Sequence, residues 1–206
     1  MSKNHVIKPV LPLVVCFGIE GDSTMKYKTV VIDPPWDLGN TMDLVIPHGP
    51  YPSLPYNSMN ITEIKQFPIN DFIDEGLLFM WVIDSTIREG YDILDEWGFK
   101  YHKTITWDKG SGAAIWSPIM GRTEHCLFAY RGNFRELTNN QMGVMQSIIT
   151  TAGVRKHSQK PARFYQLLRA WTPTPRIDIF ARNAHEGFDG WGDEYVGEGP
   201  LQEFLQ

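Results

Sequence analysis

Apolar positions in this chain fall into short solid runs separated by helical stripes. Thr29-Val-Val-Ile-Asp33 is a short β-branched run that stops at two prolines, the pattern of a strand buried on both faces of a parallel sheet. Gly76-Leu-Leu-Phe-Met-Trp-Val82 is a second strand of the same kind, and shorter signals predict strands over His102 to Trp107 and His125 to Tyr130. Arg176 to Ala181 alternates and predicts a final strand. Between these runs, Ser58 to Gln66 reads as a short helix. Ser85 to Trp97 has N-cap chemistry at its start and Gly98 just beyond its end, and is predicted helical. Lys160 to Trp171 is a third helix, with Pro161 suited to its first turn. The stretches Asp37 to Asn60 and Asp108 to Arg122 are rich in Gly, Pro and polar residues and are expected to be irregular.

Strands separated by helices of this length predict an α/β fold, with a mostly parallel sheet and helices on both faces. Ligands in such sheets bind outside the carboxyl ends of the strands. No repeat or low-complexity tract interrupts the pattern. Length adds that 206 residues suit one globular unit, which we divide into an N-terminal extension over residues 1–25 and a main domain over 26–206. Val10 to Ile19 is apolar but shorter than the ~20 residues that span a bilayer, and Glu20 and Asp22 follow at once. It is expected to be a strand rather than a signal peptide or anchor. Cys16 and Cys126 lie in apolar surroundings without metal-ligand spacing, which fits a reducing cytosol.

Charge changes the picture in one respect. A net charge of -5 argues against a general polyanion binder, because non-specific affinity for nucleic acid comes from Lys and Arg neutralising phosphates. Any nucleic-acid surface must be local, and the best candidate is Arg155, Lys156, His157, Lys160, Arg163 and Arg169, set against an acidic tail with Glu194, Glu198 and Glu203. The competing reading is an ordinary solvated face.

The most informative motif is Asp33-Pro34-Pro35-Trp36, directly after the first strand. Two prolines fix the backbone and remove two amide donors, leaving carbonyls as acceptors beside a carboxylate that is itself an acceptor. Such a corner suits a nitrogen carrying two N–H donors, as in the amino group of adenine or cytosine. Accepting both hydrogens helps the nitrogen lone pair attack an electrophilic methyl group and stabilises the charge that develops. The indole of Trp36 offers a face on which an extruded base can stack. The bland alternative is a strand-ending turn with a core tryptophan.

Around this motif, an ordered series runs from about Tyr27 to Glu194: Leu54-Pro-Tyr56-Asn-Ser-Met59, Gly76 to Val82, Trp97-Gly98-Phe99, Gly121-Arg-Thr-Glu124-His-Cys126, Tyr130-Arg-Gly132-Asn133, Lys160-Pro161, Ile177-Asp-Ile-Phe180-Ala-Arg182 and Gly190-Trp191-Gly192-Asp193-Glu194. In this series the chain resembles the METTL-type, MT-A70-like adenine N6-methyltransferases. The resemblance implies a Rossmann-like fold with permuted motif order and S-adenosylmethionine as cofactor. It further implies that Asp33 and the Pro34 carbonyl hold the adenine amine, that Trp36 walls the base pocket and that Tyr56 and Asn57 close over the substrate, with Glu124 supporting it. Lys160, Arg182 and His185 would hold the methionine carboxylate, Asp178 the ribose hydroxyls, and Asp193 and Glu194 the ribose and adenine of the cofactor. Asp33 and Phe180 would line the same side. Here the chain departs from the pattern, because several relatives carry Asn where it has Asp193.

Each residue also has a plainer role: Lys160 as a surface lysine, Arg182 pairing with Asp178 or Glu186, and Trp191 as core. His125 and Cys126 are expected on a buried strand without chemistry. In-line methyl transfer needs neither a histidine base nor a metal. The absence of the accessory regions expected of an mRNA enzyme favours DNA in a bacterium or phage-infected cell over RNA, with a second copy or partner chain completing the groove. The rival functions are a non-catalytic nucleic-acid-binding subunit and, less well supported, a small-amine methyltransferase.

Overall fold

The computed structural model describes residues 26–37, 58–113, 121–138, 145–151, 160–192 and 195. The expected N-terminal extension and most of the long loop after Asp37 lie outside them. Strand β1 (Thr29–Ile32) is completely buried, and β2 (Gly76–Val82) is buried along its whole length. They are followed by β3 (Lys100–Ala113), β4 (Gly121–Arg131), β5 (Ile148–Thr150), β6 (Arg176–Ile179) and β7 (Asp189–Trp191). The sheet order is β5-β3-β4-β2-β1-β6-β7. Only β4 runs against its neighbours, so the mixed α/β sheet is mostly parallel, as expected.

Side-chain alternation divides the core into two layers. Val30 and Ile32 of β1 and Leu78, Met80 and Val82 of β2 face α1 (Ile61–Lys65), α2 (Ile69–Phe72) and α3 (Ile87–Glu96). Val31, Leu77, Phe79 and Trp81 face the opposite way, onto Phe164, Tyr165 and Leu168 of α5 (Ala162–Trp171). Helices therefore cover both faces. A short helix, α4 (Phe134–Thr138), follows β4.

Local signals explain the element ends. Asn60 and Glu63 form a reciprocal capping box at α1, with Glu63 N–H donating to Asn60 Oδ1 at 3.0 Å and Asn60 N–H to Glu63 Oε2 at 2.7 Å. Gly98 ends α3 at φ 74°, a left-handed conformation glycine adopts at little cost.

Several expectations are corrected. The region from Asp108 to Arg122 is not irregular throughout: β3 continues to Ala113 and β4 begins at Gly121, because hairpin pairing satisfies the backbone despite the Gly content, with a register shift between Asp108 and Ala113. Helix α3 is not capped by a serine; its N-cap is Thr86, whose hydroxyl accepts from Ile83 N–H instead. Pro161 is the N-cap of α5 rather than part of its first turn. The Arg176 strand ends at Ile179, because Phe180 turns left-handed at φ 61°, and β7 follows it as a further strand.

The topology creates a crevice. From β1 the chain crosses over the α1–α2 face to β2, whereas β6 arrives on the other side of β1 after α5, which covers the opposite face. The carboxyl ends of β1 and β6 thus flank a switch point, where α/β sheets bind ligands.

Candidate active site

Asp33 is the first residue beyond β1, and its N–H donates to Ile179 O at 3.3 Å, joining the ends of β1 and β6. The two prolines hold a tight corner. Trp36 N–H donates to Pro34 O at 2.8 Å and Met59 N–H to Pro35 O at 2.7 Å. One lone pair of each carbonyl is therefore already engaged, and Pro34 retains one. Trp36 is 8% exposed and its indole N–H donates to Trp81 O at 3.1 Å, so most of its ring belongs to the core and anchors the corner to β2.

Lys160 precedes α5 and points inward. Its side chain is 12% exposed, with Nζ 2.8 Å from Asp33 Oδ2 and 3.2 Å from Glu124 Oε2. The ammonium also lies 5.1 Å from the Trp81 ring centroid. Burial works to neutralise Lys160, but the two carboxylates outweigh it and raise its pKa above the ordinary lysine value. Neither the surface-lysine reading nor a place for Lys160 in a phosphate-binding face survives this geometry. Arg169, from the same basic stretch, pairs with Glu186, and Arg155, Lys156 and His157 lie outside the described residues.

Glu124 sits on β4. Burial raises its pKa, but Lys160 and Lys109 together pull it below the usual carboxylate range. His125 faces the other layer, between Thr106 (3.1 Å) and Asp84 (3.2 Å). Cys126 is fully buried, and burial pushes its thiol well up.

Across the switch point, Asp178 on β6 is 3% exposed and accepts from Tyr165 Oη at 2.8 Å. Burial pushes its pKa up to about 8; the Tyr165 bond and Lys160 restrain the rise, and the charge of Asp33 adds to it. His185 stacks on Tyr165 with centroids 3.5 Å apart, its Nε2 is 3.8 Å from Asp178 Oδ2, and burial pushes its pKa down. Asp33, Lys160, Tyr165, Asp178, Phe180, Arg182 and His185 line one open cleft. Trp191 packs with Phe67, Phe72 and Phe180, as core.

The structure thus brings together Asp33, Lys160, Asp178, Phe180, Arg182 and His185, with Glu124 beneath Lys160. Tyr56, Asn57, Asp193 and Glu194 lie outside the described residues. Sequence reasoning missed Tyr165, hidden in an apolar helical stripe, and Lys109, which a continuous reading of β3 would have placed on the Trp107 face. Among the described residues no group of three or more His, Cys, Asp or Glu is arranged to hold a metal ion.

The MT-A70 family profile matches residues 27–194. The chain belongs to the MT-A70 family. It is 29% identical over 192 residues to a probable N(6)-adenosine-methyltransferase MT-A70-like protein of Oryza sativa subsp. japonica, covering 88% of this chain and 25% of that protein. To the human N(6)-adenosine-methyltransferase catalytic subunit METTL3 it is 28% identical over 166 residues, 76% of this chain and 26% of that one. To the type II methyltransferase M.MunI of Mycoplasma sp it is 27% identical over 192 residues, 82% of this chain and 78% of that one. The chain therefore spans about a quarter of the length of the adenosine-methyltransferases it matches.

MT-A70 methyltransferases are S-adenosylmethionine-dependent. The donor set suits such a zwitterionic ligand: Asp33 can accept from an ammonium, Asp178, with its pKa at about 8, presents a carboxyl group to hydroxyls, and Lys160 and Arg182 are cations for a carboxylate. Lys160 already serves two carboxylates, so a ligand carboxylate would compete with them. Among the described residues no helix is long and apolar enough to cross a membrane.

Proposed function

We propose that this MT-A70 chain transfers a methyl group to the 6-amino group of adenine in a nucleic acid, with DNA favoured over RNA. The observation that carries the reading is an Asp33 carboxylate fixed by Lys160 at the mouth of the β1–β6 crevice, in the same cleft as Asp178, Arg182 and His185. The bound cofactor would supply the electrophilic methyl group.

The chain's own residues orient the acceptor nitrogen. Asp33 gives Oδ2 to Lys160, yet a carboxylate has about four acceptor positions, so N–H donors of an amine can still be accepted. The second N–H falls to the remaining lone pair of Pro34 O. As positive charge grows on the nitrogen, Asp33 stabilises it and removes no proton before attack; once the methyl group has left the sulfonium, which becomes a neutral thioether, the extra N–H proton passes to solvent beside the partly exposed Asp33 carboxylate. Arg182 and Lys160 balance a ligand carboxylate, and Phe180 and His185 supply an apolar and an aromatic wall. Tyr56 and Asn57 are proposed to close over the substrate, and Asp193 and Glu194 to contact the cofactor.

DNA is favoured because the relative matched over 78% of its own length is named a type II methyltransferase. The RNA reading draws on relatives named adenosine-methyltransferases. Cytoplasmic location and completion of the groove by a second copy or a partner chain belong to the same proposal. Methyl transfer from labelled cofactor to DNA and RNA oligonucleotides, followed by nucleoside analysis, tests it. N6-methyladenine in DNA supports it; label on RNA alone moves the substrate to RNA, and label on neither overturns it.

A further inference from the structure

Two-residue periodicity places Lys109 on the same face of β3 as Trp107, whose register partner on β4 is Glu124. Lys109 is thus the diagonal cross-strand neighbour of Glu124, within reach of a long side chain. Its Nζ lies 3.3 Å from Glu124 Oε1, while Lys160 Nζ lies 3.2 Å from Glu124 Oε2. The two oxygens of one carboxylate are each committed to a different lysine. Lys160 in turn meets Asp33 at 2.8 Å, so charges alternate from the hairpin to the proline corner: Lys109, Glu124, Lys160, Asp33.

We infer that Lys109 is a positioning residue for the proposed methyl transfer: from the hairpin it holds Glu124, Glu124 holds Lys160, and Lys160 aims Asp33. The inference rests on the methyltransferase reading for its functional meaning. Without Lys109, two carboxylates share one ammonium. Glu124 then either draws Lys160 toward itself, releasing Asp33, or takes up a proton.

The charged groups bearing on Glu124 and its partners are Lys109 from β3, Lys160 from the segment before α5, Asp33 from the end of β1, Arg182 from beyond β6, acting on Asp33, and Asp178 from β6, acting on Asp33 and Lys160. The neighbouring Asp108 is occupied by Arg122, its Oδ1 2.5 Å from Arg122 Nε. Lys109 is one-third exposed, so solvent screening weakens its pull on Glu124 but leaves the direction, a lowered carboxylate pKa.

The test compares wild type, Lys109→Met and Lys109→Arg. Carboxyl-carbon NMR of glutamate-labelled protein without cofactor reads the titration of Glu124, and thermal melts confirm folding. Glu124 should titrate higher in Lys109→Met than in wild type and return in Lys109→Arg. In methylation assays the acidic limb of kcat should move the same way, with KM for the oligonucleotide within about twofold. An unmoved Glu124 titration overturns the inference. So does a Lys109→Met defect confined to KM and its salt dependence, which would make Lys109 a phosphate contact. Inactive wild type would refute the methyltransferase reading, while the NMR titration would still decide whether Lys109 holds Glu124; if Lys109→Met fails to fold, Lys109→Gln takes its place, and again an unmoved Glu124 titration overturns the inference.

Discussion

Lys160 Nζ lies 2.8 Å from Asp33 Oδ2, which ties the segment before α5 to the end of β1 across the switch point of the sheet. This contact turns a proline-rich strand end into a polar site. The carboxylate is held in one orientation by a cation that is itself buried, and the same cation is steadied by Glu124 and the Trp81 ring.

Removing the carboxylate as Asp33→Ala should lower kcat by at least about 10²-fold, in the range seen when one electrostatic contact to a transition state is lost. Lys160 keeps Glu124 as a partner, so the loss of stability should be only roughly 1–2 kcal/mol. Single-turnover methylation and a thermal melt on the same sample separate the two effects; full activity would show that Asp33 does not orient the amine.

Stability should depend on pH through Asp178. Its folded pKa is pushed up to about 8, whereas an unfolded aspartate titrates near 4. Between these values the folded state holds the extra proton, so the Asp178 contribution to stability is fully present below about pH 4 and is lost as pH rises through about 8. The Asp178 contribution to the slope is at most about 1.4 kcal/mol per pH unit. Denaturant midpoints at pH 5, 6.5 and 8 should fall with pH more steeply in wild type than in Asp178→Asn, the difference being the Asp178 contribution.

Trp36→Phe keeps a flat ring but deletes the N–H that satisfies Trp81 O. Leaving that buried carbonyl unpaired should cost about 1–3 kcal/mol. Because the indole is 8% exposed, KM for the oligonucleotide should change by no more than a few fold. A large rise in KM with unchanged stability would make base stacking the principal role of Trp36.

Gly90 lies on the sheet-facing side of α3, where a Cβ would come within 2.8 Å of Val82 Cγ1 and 2.9 Å of Leu127 Cδ1. Gly90→Ala gains about 1 kcal/mol of helix propensity, but overpacking a filled core costs about 1–3 kcal/mol. The clash should win, giving a net loss of about 1 kcal/mol by denaturant titration. A stabilised variant would mean that α3 is free to lift from the sheet.

Much of this was legible in the chain itself. Thr29–Ile32 and Gly76–Val82 are apolar enough to be strands wherever they are placed, and Gly98 marks a helix end locally, whereas the helix expected from Ser58 begins only at Ile61, after the Asn60–Glu63 capping box. The strand pairing over 108–113 and 121–122 was not legible, because its glycines disfavour a strand locally and only cross-strand pairing repays them.

The sequence by itself determined the type of most elements and the identity of the proline corner, because periodicity, β-branching and proline geometry act over a few neighbouring residues. Only the tertiary structure decided which charges meet. Lys109, Glu124, Lys160 and Asp33 come from four separate segments, and whether each is a solvated surface group or a link in a chain of alternating charges depends on strand order and register, which no local pattern carries.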